Sequence, residues 1–299
     1  MANPMRPTWA AWIACAAAAV LPAVAATACR GSKGSGAQDA GATEDGPATD
    51  AAMDADDAAA DDAPEPVEAG PTGFVFFTTT EDGTGSLGAV FDGTPVPAAS
   101  CQVTTVYGAC VVYTCPSAVD AGPTAAAGTL TFAAPSLDGG VSIDAGPSGL
   151  YALATPGALF SAGDPLTVTA SGGAVPAFGP AAVTAPAAIT LTNPIPDGGP
   201  IAVPTSSDFG FAWTGGSIDS AAVLTASGVA TDGSLVVVRC SYVGITDEGI
   251  LPSPVLAAVH GLSKGTLGWG QANTAIVDAG PWSVTLLAGA YGSTPATFE

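Results

Sequence analysis

The chain has 299 residues, 48% of them hydrophobic and only 10% charged, and carries a formal net charge of -21. Its basic residues are Arg6, Arg30, Lys33, Arg239 and Lys264, and every acidic residue lies beyond the third of them, so the surface repels phosphate and nucleic acid is excluded as a partner. Abundant Gly and Pro with little charge suit short strands and turns better than long helices, in one large domain or two ordinary ones.

Residues 1–28 read as a signal peptide: a basic start, MANPMRP, then the apolar run TWAAWIACAAAAVLPAVAATA, then small residues at Ala26, Thr27 and Ala28. The run is nearly long enough for an uncleaved membrane helix. Pro22 near its end and basic residues on both flanks favour cleavage before Cys29. Export places the rest of the chain in an oxidising compartment.

Of the 6 cysteines, Cys15 leaves with the signal. Cys101, Cys110, Cys115 and Cys240 lie in sequence that reads as folded and can pair among themselves, which leaves Cys29 over at the first mature position. Ala26-Thr27-Ala28-Cys29 resembles the lipobox of bacterial lipoproteins, with Ala26 where that motif usually has Leu. The resemblance implies cleavage before Cys29, diacylglycerol on its sulfur and an acyl group on its new amine. Several acyl chains, at about 0.8 kcal/mol per buried methylene, make a stable anchor, with Arg30 and Lys33 adding weak attraction to anionic headgroups. Arg30 after the cysteine, rather than Asp, implies by the same resemblance the outer membrane or cell surface. Cleavage by an ordinary signal peptidase would instead release a soluble protein.

Residues 29–71 carry acidic residues throughout, with no aromatic side chain and no β-branched pattern, so they read as a disordered linker. A flexible coil of about forty residues spans roughly 35 Å, and charge repulsion extends it.

From residue 72 the pattern is β. GFVFFTTT, CQVTTVYGACVVYTC, GTLTFA, GLYALA, DPLTVTAS, AAITLTN, DFGFAWTGG, SLVVVRCSY and PWSVTLLAGAY are short, β-branched or aromatic, and bounded by Gly, Pro and Asp. The expected fold class is all-β, with one or two Ig-like antiparallel β-sandwich domains. The Pro-rich seam VTAPAAITLTNPIPDGGP suggests a division into 72–186 and 187–299, although one larger sandwich gives a similar pattern. Recurring Asp-Gly and Asp-Ala-Gly-Pro steps have no fixed period and read as turns.

Four folded cysteines allow three pairings. A hairpin turning at Tyr107-Gly108-Ala109 puts Cys101 opposite Cys115, which favours that bridge and leaves Cys110 for Cys240. A metal site is not expected, because the cysteines lack the paired spacing and His260 is remote from them. No cofactor is expected either.

Gly261-Leu262-Ser263-Lys264-Gly265 matches a hydrolase nucleophile elbow, which requires strand, Ser, then helix. Here SPVLAAVHG reads as a short helix before the serine, with Ser253 as N-cap, Pro254 in the first turn and Gly261 as terminator, so the order is reversed. In GTLGWGQANTA, alternation puts Leu267, Trp269, Gln271 and Asn273 on one face. Trp269 with Gln271 and Asn273 as candidate glycan contacts would form a stacking and hydrogen-bonding platform; the plainer reading is that Trp269, like Trp213 and Trp282, packs in the core.

The lipobox-like cysteine, the acidic tether and the Gly-, Thr- and Ala-rich β region together resemble surface lipoproteins of high-GC Gram-negative bacteria. DFGFAWTGGS, VRCSY, ILPSPVLAAV and WSVTLLA resemble an Ig-like sandwich of such proteins over roughly the last hundred residues. The expected function is that of a non-enzymatic cell-envelope lipoprotein with a structural, adhesive or partner-binding role. Its partners would be the membrane through lipid on Cys29, and an envelope polysaccharide or protein. A carbohydrate-binding surface module is the alternative and a secreted hydrolase the third reading.

Overall fold

Runs of β-branched and aromatic residues punctuated by Gly and Pro fold as expected into short strands. The structure, a computed structural model, describes residues 70–92, 101–116, 124–147, 149–196, 198–243 and 246–299. In chain order the strands are β1 (Thr72–Thr80), β2 (Thr84–Asp92), β3 (Gln102–Tyr107), β4 (Cys110–Cys115), β5 (Leu130–Ala133), β6 (Val141–Ile143), β7 (Tyr151–Pro156), β8 (Pro165–Ala170) and β9 (Phe178–Thr184). They continue as β10 (Ile189–Asn193), β11 (Ile201–Val203), β12 (Phe209–Gly215), β13 (Ala221–Val229), β14 (Leu235–Val243), β15 (Glu248–Leu251), β16 (Ser263–Ala279) and β17 (Trp282–Phe298). One short helix, α1 (Ser253–Leu256), runs into a 3-10 turn at Ala257–Val259. The proposed signal, the residue Cys29 and the linker as far as residue 69 lie outside the described residues.

A ten-stranded sheet in the order β3-β4-β14-β13-β16-β17-β1-β2-β7, with β11 also on β17, forms the base. A four-stranded sheet, β6-β5-β8-β9, and a three-stranded sheet, β10-β12-β15, complete two sandwiches with it. Both small sheets pack on the same face. The side chains of Leu267, Trp269 and Ala279 on β16 are an even number of residues apart and so share that face; the first two enter the core beneath the three-stranded sheet, and Ala279 enters the core beneath the four-stranded one. On β17, Val284 and Leu286 serve the core beneath the four-stranded sheet, and Ala296 and Phe298 the core beneath the three-stranded one. The 17-residue strands β16 and β17 are therefore a shared spine.

Phe77, Phe91, Phe132 and Tyr151 fill one core and Phe211, Trp213, Leu224 and Leu251 the other. Each such side chain contributes about 1.5–3 kcal/mol on leaving water. Residue 186 falls between β9 and β10, where the small sheets part company, but the large sheet draws strands from both sides of it, through β1 on β17 and β4 on β14. The large sheet is also mixed rather than purely antiparallel, since β1 and β11 both run parallel to β17. Nothing local dictates that pairing: β1 and β17 come from opposite ends of the described chain, and their register is set by burial of Val75 and Phe77 against Leu286 and Ala288.

The helix before the Gly-Leu-Ser-Lys-Gly stretch is present but shorter than its sequence suggests. Its N-cap is Pro252, not Ser253. The Ser253 N–H donates instead to Asp208 Oδ1 (2.8 Å), a carboxylate brought in from a distant loop. Gly261 does adopt a positive φ of 67°, and the chain then enters β16.

Candidate functional site

The four cysteines pair as the hairpin geometry favoured: Cys101 with Cys115 and Cys110 with Cys240. Cys110 and Cys240 stand directly opposite on β4 and β14, and Cys101, one residue before β3, meets Cys115 at the end of β4; the Cα–Cα distances are 4.0 and 3.9 Å. Gly108, at a φ of 57°, takes the first central position of the β3–β4 turn, where a II′ hairpin needs positive φ. Tyr107 pairs with Cys110 across it. A regular ladder from that turn would bring Pro116, not Cys115, opposite Cys101. A bulge between Val103 and Thr105 absorbs the offset, leaving Thr104 as the extra residue, and its hydroxyl donates to the Val112 carbonyl (3.3 Å).

Trp269, Gln271 and Asn273 share one face of β16, but their surroundings differ. Trp269 is 2% exposed and Gln271 0%. The Trp269 ring is enclosed on both faces and offers no open platform. Its indole N–H, like that of Trp213, meets no acceptor among the described residues. Room for the indole comes from Gly292 across the strand pair: a Cβ there would stand 2.5 Å from Trp269 Nε1 and 2.6 Å from a Glu81 carboxylate oxygen. Glu81 is held above the usual carboxylate range by burial. Gln271 Oε1 accepts from the Ser217 N–H (2.9 Å) and ties the loop after β12 to the spine.

Asn273 alone of the three reaches a groove. Its Nδ2 donates to the Thr184 carbonyl (2.9 Å) at the edge of a cleft of about 510 Å³, also lined by Asp219, Thr274 and Pro165. The cleft offers amide, hydroxyl and carboxylate groups for hydrogen bonding.

The residues of the elbow-like stretch do not converge. Ser263 opens a strand and its hydroxyl donates to the Val229 carbonyl (3.1 Å). His260 Nδ1 meets Thr205 Oγ1 (2.7 Å), and that hydroxyl in turn reaches a Glu299 oxygen (2.6 Å). A nucleophile needs its base within hydrogen-bond reach, and here each partner is engaged elsewhere. Among the described residues, no three His, Cys, Asp or Glu side chains gather as a metal site, and no helix is long and apolar enough to cross a membrane.

Sequence reasoning counted Arg239 only as a charge. It is buried on the reverse face of β14, where it hydrogen-bonds the Tyr113 hydroxyl. Burial raises the Tyr113 phenol, and the guanidinium charge partly opposes this. Tyr291 is pushed up to about 12 by burial, again against Arg239. The signal was a lone arginine within LVVVRCSY, since a buried cation needs partners.

No family model and no curated protein matches the chain. Among solved structures, the native conformation of Escherichia coli alpha-2-macroglobulin is 13% identical, with 75% of this chain and 14% of that one covered at a TM-score of 0.17. The trypsin-activated alpha-2-macroglobulin from Escherichia coli gives 13%, 75%, 15% and 0.19. The FN1-FN3 domains of chicken CNTN1 give 10% identity, 68% of this chain, 77% of that one and a TM-score of 0.18. The chain thus spans about a seventh of the length of the macroglobulins it is compared with.

Proposed function

We propose that the chain is a non-enzymatic lipoprotein of the cell envelope, fastened by lipid on Cys29 and carrying its β-sandwich body at the end of the 29–71 tether. The observation that carries this reading is the closed cysteine set. Cys101–Cys115 and Cys110–Cys240 use every cysteine of the described residues within that body. Cys29 is then left without a partner in the mature chain, at the bond where an export signal ends. Disulfides also accord with an oxidising compartment.

A non-enzymatic role draws support from Ser263 and His260, whose hydrogen bonds lead to Val229 and Thr205 and not to each other. The body serves a structural, adhesive or partner-binding role, with an envelope protein or polysaccharide as its partner. Fractionation of cells expressing the full chain tests the anchor. The parent should sediment with membranes and Cys29→Ser should not; equal distribution of the two would remove the anchor from this reading.

A further inference from the structure

The edge strand β3 is open to solvent along its whole length: all six residues, Gln102 to Tyr107, are exposed. Among the described residues it ends the ten-stranded sheet, so half of its backbone N–H and C=O groups face outward with no described strand to meet them. Proteins usually protect such an edge with Lys, Pro, an inward charge or a bulge. β3 carries the Thr104 bulge but no Lys, Pro or charge; it reads QVTTVY, with Val103 49%, Val106 66% and Tyr107 50% exposed.

The order of these residues is nearly the same in both directions. Val-Thr-Thr-Val is a palindrome, flanked by one residue able to hydrogen-bond at either end, Gln102 and Tyr107. Antiparallel pairing of β3 with β3 of another copy, about a twofold axis between Thr104 and Thr105, would set Val103 opposite Val106, Thr104 opposite Thr105 and Gln102 opposite Tyr107. A twofold contact requires this self-complementarity.

In a regular strand this register would fail, because residues 103 and 106 would point to opposite faces. The bulge corrects it. Val103 pairs with Tyr113 and Val106 with Val111, two residues apart on β4, so both valines lie on one face of the sheet. Gln102 and Tyr107 pair with Thr114 and Cys110 and lie on the other face. Each proposed cross-axis valine pair, and each Gln–Tyr pair, therefore shares a face. We infer that β3 is a homotypic docking edge, through which two copies join their ten-stranded sheets into one continuous sheet.

A single pair of six-residue strands is smaller than the about 1,200–2,000 Å² of a stable complex, so the association is weak and reversible. The net charge of -21 opposes it, and salt strengthens it by screening.

Sedimentation velocity of the full chain in mild detergent, across protein and salt concentration, tests the inference. The parent should show a monomer–dimer equilibrium that shifts toward dimer with salt. Val106→Lys and Val103→Asp should each abolish the dimer while the circular dichroism spectrum stays that of the parent, since both positions are exposed. The double variant should regain it, because the two new charges would face each other across the axis. A parent that stays monomeric, a dimer indifferent to Val106→Lys, or a double variant that remains monomeric would each overturn the inference. So would a monomeric parent that takes up an unrelated extended peptide along β3.

Discussion

Cys110 and Cys240 are 130 residues apart in sequence and face each other on β4 and β14, with Cα atoms 4.0 Å apart. The bridge ties the exposed β3–β4 hairpin to the strand that supports it. Cys101–Cys115, with a sequence separation of 14, closes only the hairpin itself. On chain-entropy grounds the short loop contributes about 3 kcal/mol and the long one about 4–5 kcal/mol. Urea denaturation should therefore find Cys110→Ser/Cys240→Ser less stable than Cys101→Ser/Cys115→Ser. The reverse order would mean that the hairpin does not rely on its link to β14.

The Tyr151 hydroxyl bridges two backbone groups of one loop, accepting from the Ala127 N–H (2.9 Å) and donating to the Gly128 carbonyl (2.7 Å). Its ring packs edge-on against Phe91. Tyr151→Phe preserves the ring and leaves a buried N–H without its acceptor, at a cost of about 1–3 kcal/mol. The same denaturation measurement checks this, and a loss near zero would show that water replaces the hydroxyl.

Much of the strand pattern was legible because β-branched and aromatic runs carry it, as in β1, β4, β14 and β17. β2, β9 and β13 were harder to find: TGSLGAVFD, FGPAAVT and AAVLTASGV are rich in Gly, Ala and Ser, whose preference for strand is weak. Tertiary pairing makes them strands, with Ala222 and Ala226 wholly buried in the centre of a core. The cysteine pairing was legible because the Cys101–Cys115 hairpin is local. The Thr104 bulge that adjusts it was not, since register depends on contacts made across the sheet. Alternation correctly grouped Trp269, Gln271 and Asn273, but not which of them a second sheet would cover. That depended on the three-stranded sheet and the Ser217 loop, which join β16 only in three dimensions.

Burial holds the phenols of Tyr113, Tyr151, Tyr242 and Tyr291 above their ordinary range, with Tyr291 at about 12. The folded state thus favours the protonated form. Its contribution is fully present below about pH 10, where an unfolded tyrosine keeps its proton, and is lost as pH rises toward the folded values. Stability should fall between about pH 10 and 12, and Tyr291→Phe should flatten part of that decline. In a spectrophotometric titration, phenolate absorbance of the folded protein should lag behind that of the urea-unfolded chain. Superimposable curves would contradict the burial of these rings.

The lipid-anchored reading turns on one atom, the Cys29 sulfur, and on the bond before it. Intact-mass analysis of the protein recovered from its membrane, followed by fragmentation of its N-terminal peptide, measures both. The account predicts a chain that begins at Cys29, with diacylglycerol in thioether linkage to the sulfur and an acyl group on the amine. An unmodified Cys29, or a chain that still carries residues 1–28, would contradict it.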